Sequence, residues 1–389
     1  MCYIRDKGKS SNRMRQSHGL IAIAMIVLTC SCGAQLEQKQ NSLGRETLQT
    51  ARKIIYVSPS GNDGSQGSRA SPLITIQEAI RRAQSGDVVK VMPGTYAGNI
   101  WLKPHVSLVG SGADVTTLMA EHGNILTAEN VYDITVEGFT IDGIDSAEHG
   151  LFCDGQQIRS SPRNPIMVVF RQNIVKNFIS HAIEGRYANF IVESNTIRSI
   201  AGDGIHCFRS RCRLFGNEIS LTNIGIFLQD DRAEVTDNTI QDVRSNGIVC
   251  HNVAPCVIRN NQVTRVGGDG VVSEYSSPII RENSIVSSFG NGIRCLSNEN
   301  SHAAPKIRAN IITNNQNHGI YNDRHSWSDL GREDDLGLNI ITDNGKYAVY
   351  SEAERVIPAR SNWWGANPPL PKLFHGNIDY HMALSEPPQ

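Results

Sequence analysis

The sequence predicts an all-β protein, a single-stranded right-handed parallel β-helix with a short N-terminal capping helix. Three observations carry this expectation. An Asn-x-Ile/Val motif recurs at Asn173, Asn195, Asn217, Asn238, Asn261, Asn283, Asn310 and Asn339, at intervals of 22, 22, 21, 23, 22, 27 and 29 residues. A small residue followed by an aliphatic one recurs at Ala182, Gly204, Gly225, Gly247, Gly270, Gly292, Gly319 and Ala348, nine residues after each Asn except once, where it is eight. Glycine is abundant, aromatic residues make up 6% and charged residues 19%, which suits short strands joined by tight turns.

A repeat of about 22 residues is too short for a strand plus a crossover helix, and its segments alternate apolar and polar with period two. Each coil therefore supplies two or three short strands, and successive coils stack about 4.8 Å apart as parallel neighbours. The asparagines form a ladder, since Asn accepts the left-handed conformation of a turn and its amide can bond to the coils on either side. Ile205, Ile226, Ile248, Val271, Ile293 and Ile320 stack inward as one aliphatic column. Ahead of the repeats, Thr75 to Ala83 reads as an amphipathic helix covering the open end of the stack, and Ile54–Val57 and Val88–Met92 read as the first strands.

The N-terminus reads as an export signal. Arg5, Lys7, Lys9, Arg13 and Arg15 precede an apolar run from Leu20 to Thr29, too short to span a bilayer, which ends in Cys30-Ser31-Cys32-Gly33. That ending resembles a bacterial lipoprotein signal with Cys32 as the lipidated first mature residue; the alternative is a plain cleaved signal and a secreted protein. The expected organisation is a signal over 1–32, a flexible tether over 33–50, a β-helix over 51–380 (cap 54–96, repeats 97–365) and a tail over 381–389. Beyond residue 32 the chain carries 32 basic and 37 acidic residues, a net charge of −5. This excludes the electrostatic footprint of a general nucleic-acid binder. A monomer is expected.

The start and end of the body carry a resemblance. Tyr56-Val57-Ser58-Pro59 with Gly61 to Gly64, Ile76-Gln77-Glu78-Ala79-Ile80, Gly86-Asp87 and Pro93-Gly94-Thr95-Tyr96 resemble the opening of pectate-lyase-like β-helix proteins. Asn362-Trp363-Trp364-Gly365 resembles the closing motif of many such chains, including the periplasmic family associated with nitrous-oxide reductase maturation. The resemblance implies the pectin-lyase-like fold over about residues 53–380. Its chemistry stays open, because that superfamily includes lyases, hydrolases, esterases, epimerases and non-enzymes.

Six cysteines lie in the body. Cys153, Cys207, Cys250 and Cys295 share an inward column three residues after the small-residue mark, where those nearest in sequence are two coils, about 9.6 Å, apart and too distant to bridge. Cys212 and Cys256 each lie five residues before an Asn. Bridges Cys207–Cys212 and Cys250–Cys256 within single coils are therefore expected, with Cys153 and Cys295 left as buried thiols. The adjacent pairs His206-Cys207 and Cys250-His251 point to opposite faces of a strand, so neither converges on one ion, and no metal centre is expected there.

Length variation collects after the small-residue mark, in insertions at 154–164, 296–305 and 322–335. Loops gathered on one edge are how a solenoid builds a cleft, so the preceding strand is its expected floor. Its outward positions hold carboxylates, Arg, His and rings, a mixture that suits a carbohydrate. Elimination or epimerisation at a uronate needs a base for the C5 proton and a cation for the carboxylate. His206, His251, Arg209 and Arg294 are the candidates, with Asp230 and Asp231 as a candidate Ca²⁺ site. Glu184, Arg186, Glu274, Tyr275, Tyr321, Asp323 and Arg324 are the candidate substrate contacts. A hydrolase would instead draw on carboxylates such as Glu184, Asp230, Asp231 and Glu274. The expectation is an exported protein that acts on or binds polysaccharide, favouring a lyase or epimerase on acidic glycans; a non-catalytic lipoprotein that binds glycan or a protein partner is the alternative, and a glycoside hydrolase the second.

Overall fold

The computed structural model describes residues 52–157, 166–230 and 232–388. The expected signal, the tether, Cys32, Asp231 and most of the 154–164 insertion lie outside these residues. Three parallel sheets run the length of the body, of 11, 11 and 12 strands. Taken in the order the chain meets them, the first begins at Ile54–Val57, the second at Gly94–Ala97 and the third at Ile100–Trp101. The chain visits all three in each coil, so a strand pairs with its counterparts one coil away rather than with its sequence neighbours. At about 4.8 Å per coil, the third sheet extends roughly 50 Å. Among the described residues, no helix is long and apolar enough to cross a membrane.

The Asn motif occupies the corner between the first and second sheets. Asn238 shows what it does: its Oδ1 accepts from the Asn217 backbone N–H at 3.0 Å and from the Asn217 amide at 2.9 Å. Its own amide donates to Leu214 O and Thr236 O at 2.9 Å and to Asn261 Oδ1 at 3.0 Å. The same pattern runs from Asn173 onward and continues through Asn339 to Asn362, so the first residue of the Asn-Trp-Trp-Gly motif is the ladder's last rung. At the other end the Phe139 N–H closes on Asn173 Oδ1. These asparagines are buried, with every polar atom engaged.

One expectation about this corner is corrected. The left-handed residue is the one before each Asn, as at Ser194 (φ 54°) and Gln172 (φ 53°), while the Asn itself is not left-handed. Turning the corner one residue earlier leaves the Asn side chain pointing into the stack, where its bonds are. The other two corners are turned in the same way, as by Ser199 (φ 59°) and Arg209 (φ 50°). Because these conformations recur in register, they are geometry of the fold and no mark of a strained active site.

The small-residue mark also has a packing cause. A Cβ on Gly204 would come within 2.7 Å of the Gly225 carbonyl oxygen, and one on Gly270 within 2.3 Å of the Ile285 side chain. Close approach of the chain to the next coil at the entry to the third sheet therefore favours glycine, with alanine the largest residue found there, at Ala182 and Ala348. The aliphatic residue that follows points inward, and Ile205, Ile226, Ile248, Val271, Ile293 and Ile320 are fully buried, in continuous register.

Both ends are covered. Helix α1, Ile76–Arg82, starts on the Thr75 hydroxyl, which accepts from the Glu78 N–H, and buries Ile76, Ala79 and Ile80 against the first coil. At the far end Trp364 is buried edge-on against Phe374, which stacks on Tyr380 at 4.1 Å. The insertions at 296–305 and 322–335 both leave the corner between the third and first sheets and are tied together. The Trp327 N–H donates to Ala303 O, and Asp323 accepts from the Ser297 N–H at 2.7 Å.

Cys153, Cys207, Cys250 and Cys295 lie in the inward column of the third sheet, alternating in register with Gly185, Leu228 and Ser273. The Cys250 and Cys256 sulfurs are in contact at 3.4 Å, and Cys207 and Cys212 occupy the equivalent positions two coils earlier. In an oxidising compartment the Cys250 and Cys256 thiols are expected to close to a disulfide. Mass mapping without reduction should recover a peptide linked through Cys250 and Cys256, and a bridge from Cys250 to Cys295 would contradict the register.

A second prediction concerns the ladder. Asn238→Ala leaves the bonds of Asn217 and two backbone carbonyls unmet inside the stack, at a cost of about 3 kcal/mol in chemical denaturation. Replacing the exposed Asn300, which is not at a left-handed corner, in the same way should cost less than about 0.5 kcal/mol.

Candidate functional site on the third sheet

The position just before each small residue is a column that an outward reading starting after the mark omits. It holds His149, His181, Asp203, Ile224, Asn246, Asp269, Asn291, His318 and Tyr347. Six of its polar members form a second ladder, each accepting from a backbone N–H of the next coil. His181 Nδ1 accepts from Asp203 N at 3.0 Å, Asp203 Oδ1 from Ile224 N at 3.2 Å and Asn246 Oδ1 from Asp269 N at 2.8 Å. Asp269 and Asn291 do the same for the next two coils, and His318 Nδ1 accepts from Tyr347 N at 3.3 Å.

Near the N-terminal half this column meets the first outward column. His149, His181, His206 and Phe227 form a row of rings with centroids 5.9, 4.4 and 4.8 Å apart, one ring per coil. Asp203 Oδ2 sits 3.0 Å from His206 Nδ1. His149 Nδ1 contacts Asn124 Oδ1 at 2.7 Å. Its Nε2 is 2.8 Å from Glu184 Oε2 but out of line for a hydrogen bond, which leaves a buried ring nitrogen without one. Arg186 Nε donates to Glu184 Oε1 at 2.6 Å, and its guanidinium lies over the Phe152 ring at 5.3 Å. Arg209 is held in the same way, by Asp230 at 3.5 Å and over Phe208 at 5.2 Å. Both arginines stay about half exposed, at 48% and 52% of the side chain.

The charges follow from these contacts. Burial alone would raise the Glu184 carboxyl, but the contacts of His149 and Arg186 outweigh it and hold the group at about 2. Burial would likewise raise Asp203; the His206 hydrogen bond, the His181 and His206 charges and the Ile224 N–H draw it below the usual carboxylate range. Burial and the neighbouring His206 lower His181, which favours its neutral form.

The expected site residues are distributed along the third sheet rather than gathered. His206, Arg209 and Asp230 fall within two coils, with Glu184 and Arg186 one coil before. Glu184 is 4% exposed, so it orients His149 and Arg186 and is not itself a glycan contact. His251 lies at 3.0 Å from Glu274 and edge-on to Tyr275, two coils past His206. Arg294 is four coils, roughly 19 Å, beyond His206, against Asp269 and the Tyr321 ring. Tyr321 stacks on Tyr350, and Tyr350 on His375 at 4.4 Å. Asp323 is engaged in pinning the two insertions, and Arg324 is exposed beside Glu354 at 3.4 Å. Asp230 also accepts from the Asn252 amide. His149, His181 and Asp203 were not among the expected residues; their signal is the position before the small-residue mark.

His181, Asp203 and His206 offer ligand atoms within 4.8 Å of one another, a set suited to a divalent transition ion. The Asp203 oxygens are already used, Oδ1 by the Ile224 N–H and the Asn223 amide and Oδ2 by His206. The trio is thus knitted as a hydrogen-bonded network in which a carboxylate orients an imidazole.

The chain belongs to the right-handed β-helix family: the family model described as a right handed beta helix region matches residues 124–285 and, overlapping, 183–330, together just over half of the chain. Among solved structures, the chain is similar to the Azotobacter vinelandii mannuronan C-5 epimerase AlgE4 A-module at 14% identity, covering 80% of this chain and 91% of that one with a TM-score of 0.56. It is similar to the catalytic unit of a GH87 α-1,3-glucanase from Streptomyces thermodiastaticus at 16% identity, covering 85% and 70%, with a TM-score of 0.56. A Yersinia enterocolitica family 28 exopolygalacturonase matches at 11% identity over 86% and 78%, with a TM-score of 0.53. At such identities the likeness shows the solenoid alone. No curated protein matches the sequence.

The Glu184 contacts make a pH prediction. Its carboxyl is at about 2 in the folded protein against an ordinary 4.5, so its stabilising contribution is complete above 4.5 and is lost as pH falls toward 2. Thermal melting from pH 5 to pH 2 should fall less steeply for Glu184→Gln than for the parent. Parallel slopes would contradict the placement.

Proposed function

We propose that the protein is exported, held by a lipid on Cys32, and acts on polysaccharide as a lyase or epimerase of acidic glycans. One observation carries this reading: an imidazole oriented by a carboxylate, His206 on Asp203, shares a sheet face with two guanidinium groups pinned on phenylalanine faces, Arg186 one coil before it and Arg209 three residues after it. The imidazole supplies a base for the C5 proton, and Arg186 and Arg209 supply the positive charge that a uronate carboxylate needs as that proton leaves. Solvated phenylalanine rings beside them offer apolar surface to sugar faces.

The ionisation of Glu184 and Asp203 does not suit either for the proton donor of a hydrolase. A glycosidase needs one carboxyl raised enough to donate a proton at neutral pH. Glu184 and Asp203 are both shifted the other way. Solved structures of the same solenoid are named as a mannuronan epimerase, an α-1,3-glucanase and an exopolygalacturonase, which keeps the reading within what the fold hosts. Binding of glycan or a partner protein without turnover is the second reading, favoured by the separate cluster of Arg294, Tyr321 and Tyr350 at the far end of the face.

Purified protein incubated with alginate, pectin and glycosaminoglycans should yield unsaturated products or exchange of the C5 proton with solvent. New reducing ends without unsaturation would indicate a hydrolase, and binding without either signal would leave the non-catalytic reading.

A further inference from the structure

Resting on the polysaccharide reading and deepening it, we infer that His206 and His181 work from one side of the sugar. The reaction is then a syn β-elimination of a 4-linked uronate whose C5–H and C4–O lie on the same ring face. Mannuronate and glucuronate have that arrangement; galacturonate and guluronate place the two bonds on opposite faces.

The argument begins with the tautomers, which the ladder assigns. A backbone N–H is only a donor, so the bond from Asp203 N requires a lone pair on His181 Nδ1. Neutral His181 therefore carries its proton on Nε2. His206 has the opposite arrangement: its Nδ1–H donates to the Asp203 carboxylate, which leaves the lone pair on Nε2. Neither Nε2 makes a hydrogen bond and neither is buried, and the side chains are 23% and 21% exposed. Two neighbouring rings with centroids 4.4 Å apart, tilted by 35°, thus present one donor and one acceptor on the same sheet face.

On this geometry the step balances without a co-reactant. His206 Nε2 takes the C5 proton, and the C5–H electron pair forms the C4=C5 bond. The C4–O4 bond breaks with its pair going to O4, and the proton held on His206 passes to O4 on the same face. His206 returns neutral, and no water is consumed. The His181 Nε2–H donates to the oxygen on which charge develops, while Arg186 and Arg209 hold the carboxylate. Inversion at C5 needs a proton delivered to the opposite ring face. His206, His181, Arg186 and Arg209 all rise from one sheet or its edge and cannot reach that face.

Four polymers test the inference: polymannuronate, glucuronan, polyguluronate and polygalacturonate, each in D₂O. Ultraviolet absorbance follows the unsaturated ends, and NMR follows deuterium at C5. The expected result is unsaturated ends from the first two only, with no deuterium in the remaining polymer. Deuterium at C5 without cleavage, or cleavage confined to the last two, overturns this inference and leaves the polysaccharide reading standing. No turnover of any uronan overturns both. His206→Gln and His181→Asn should each lower kcat at least about 100-fold with unchanged thermal melting. Asn is chosen at 181 because Asn246 and Asn291 perform the same ladder bond. Undiminished kcat in either variant overturns the roles assigned. Activity should also survive chelation; loss that a divalent ion restores assigns the trio to a cation and overturns the acid–base pair.

Discussion

The structure depends on the asparagine ladder between the first and second sheets. A solenoid with three corners per coil must leave the sheet hydrogen-bond pattern at each corner, deep enough to exclude water. An unpaired amide or carbonyl there costs as much as a lost hydrogen bond, repeated in every coil. Asn resolves this because one side chain has both an acceptor and two donors. Its Oδ1 takes the neighbouring backbone N–H and side-chain amide, and its Nδ2 serves the next rung and two carbonyls, as Asn195 and Asn217 do. Apolar columns fill the interior, but the ladder sets where each coil turns and therefore which residues face out.

The column before the small-residue mark applies the same principle at a second corner with mixed residue types. Asn246 and Asn291 satisfy the next coil with an amide oxygen, Asp203 and Asp269 with a carboxylate, His181 and His318 with a ring nitrogen. For the amides the structural role is the whole role. For the acids and imidazoles it leaves a second functional atom unspent. A histidine that accepts a backbone N–H is held in one tautomer, and burial together with the charges of Lys346 and His375 keeps His318 down at about 4. At His181 the same constraint lies beside His206 and Asp203. A device of the fold thereby becomes a candidate device of chemistry.

Most of the scaffold was legible in the sequence. The period, the inward Ile column, the covering helix and the edge that bears the insertions all follow from residue spacing, because each coil repeats the same demand at the same place. The Asn conformation was misassigned, since propensity for a left-handed turn does not say which residue of the corner takes it. The site was legible only in part. His206, Arg209 and Arg186 lie in outward columns after the mark. His149, His181 and Asp203 lie before it, where alternation along the strand breaks down at the corner and a facing rule with period two gives no guidance. Glu184 sits in an outward column yet is buried, because His149 and Arg186 close over it.

By itself, the sequence determined a stack of coils with a known register, since hydrogen bonds and burial recur every 22 residues or so and leave a periodic trace. Only the tertiary structure decided which polar side chains those coils use up and which they leave open. His149, His181 and His206 are separated by 32 and 25 residues, and their rings touch because an insertion adds length to a coil without adding rise along the stack. Whether an imidazole faces its neighbour through one nitrogen or the other depends on the backbone N–H of the next coil, and that atom has no signature in residue type.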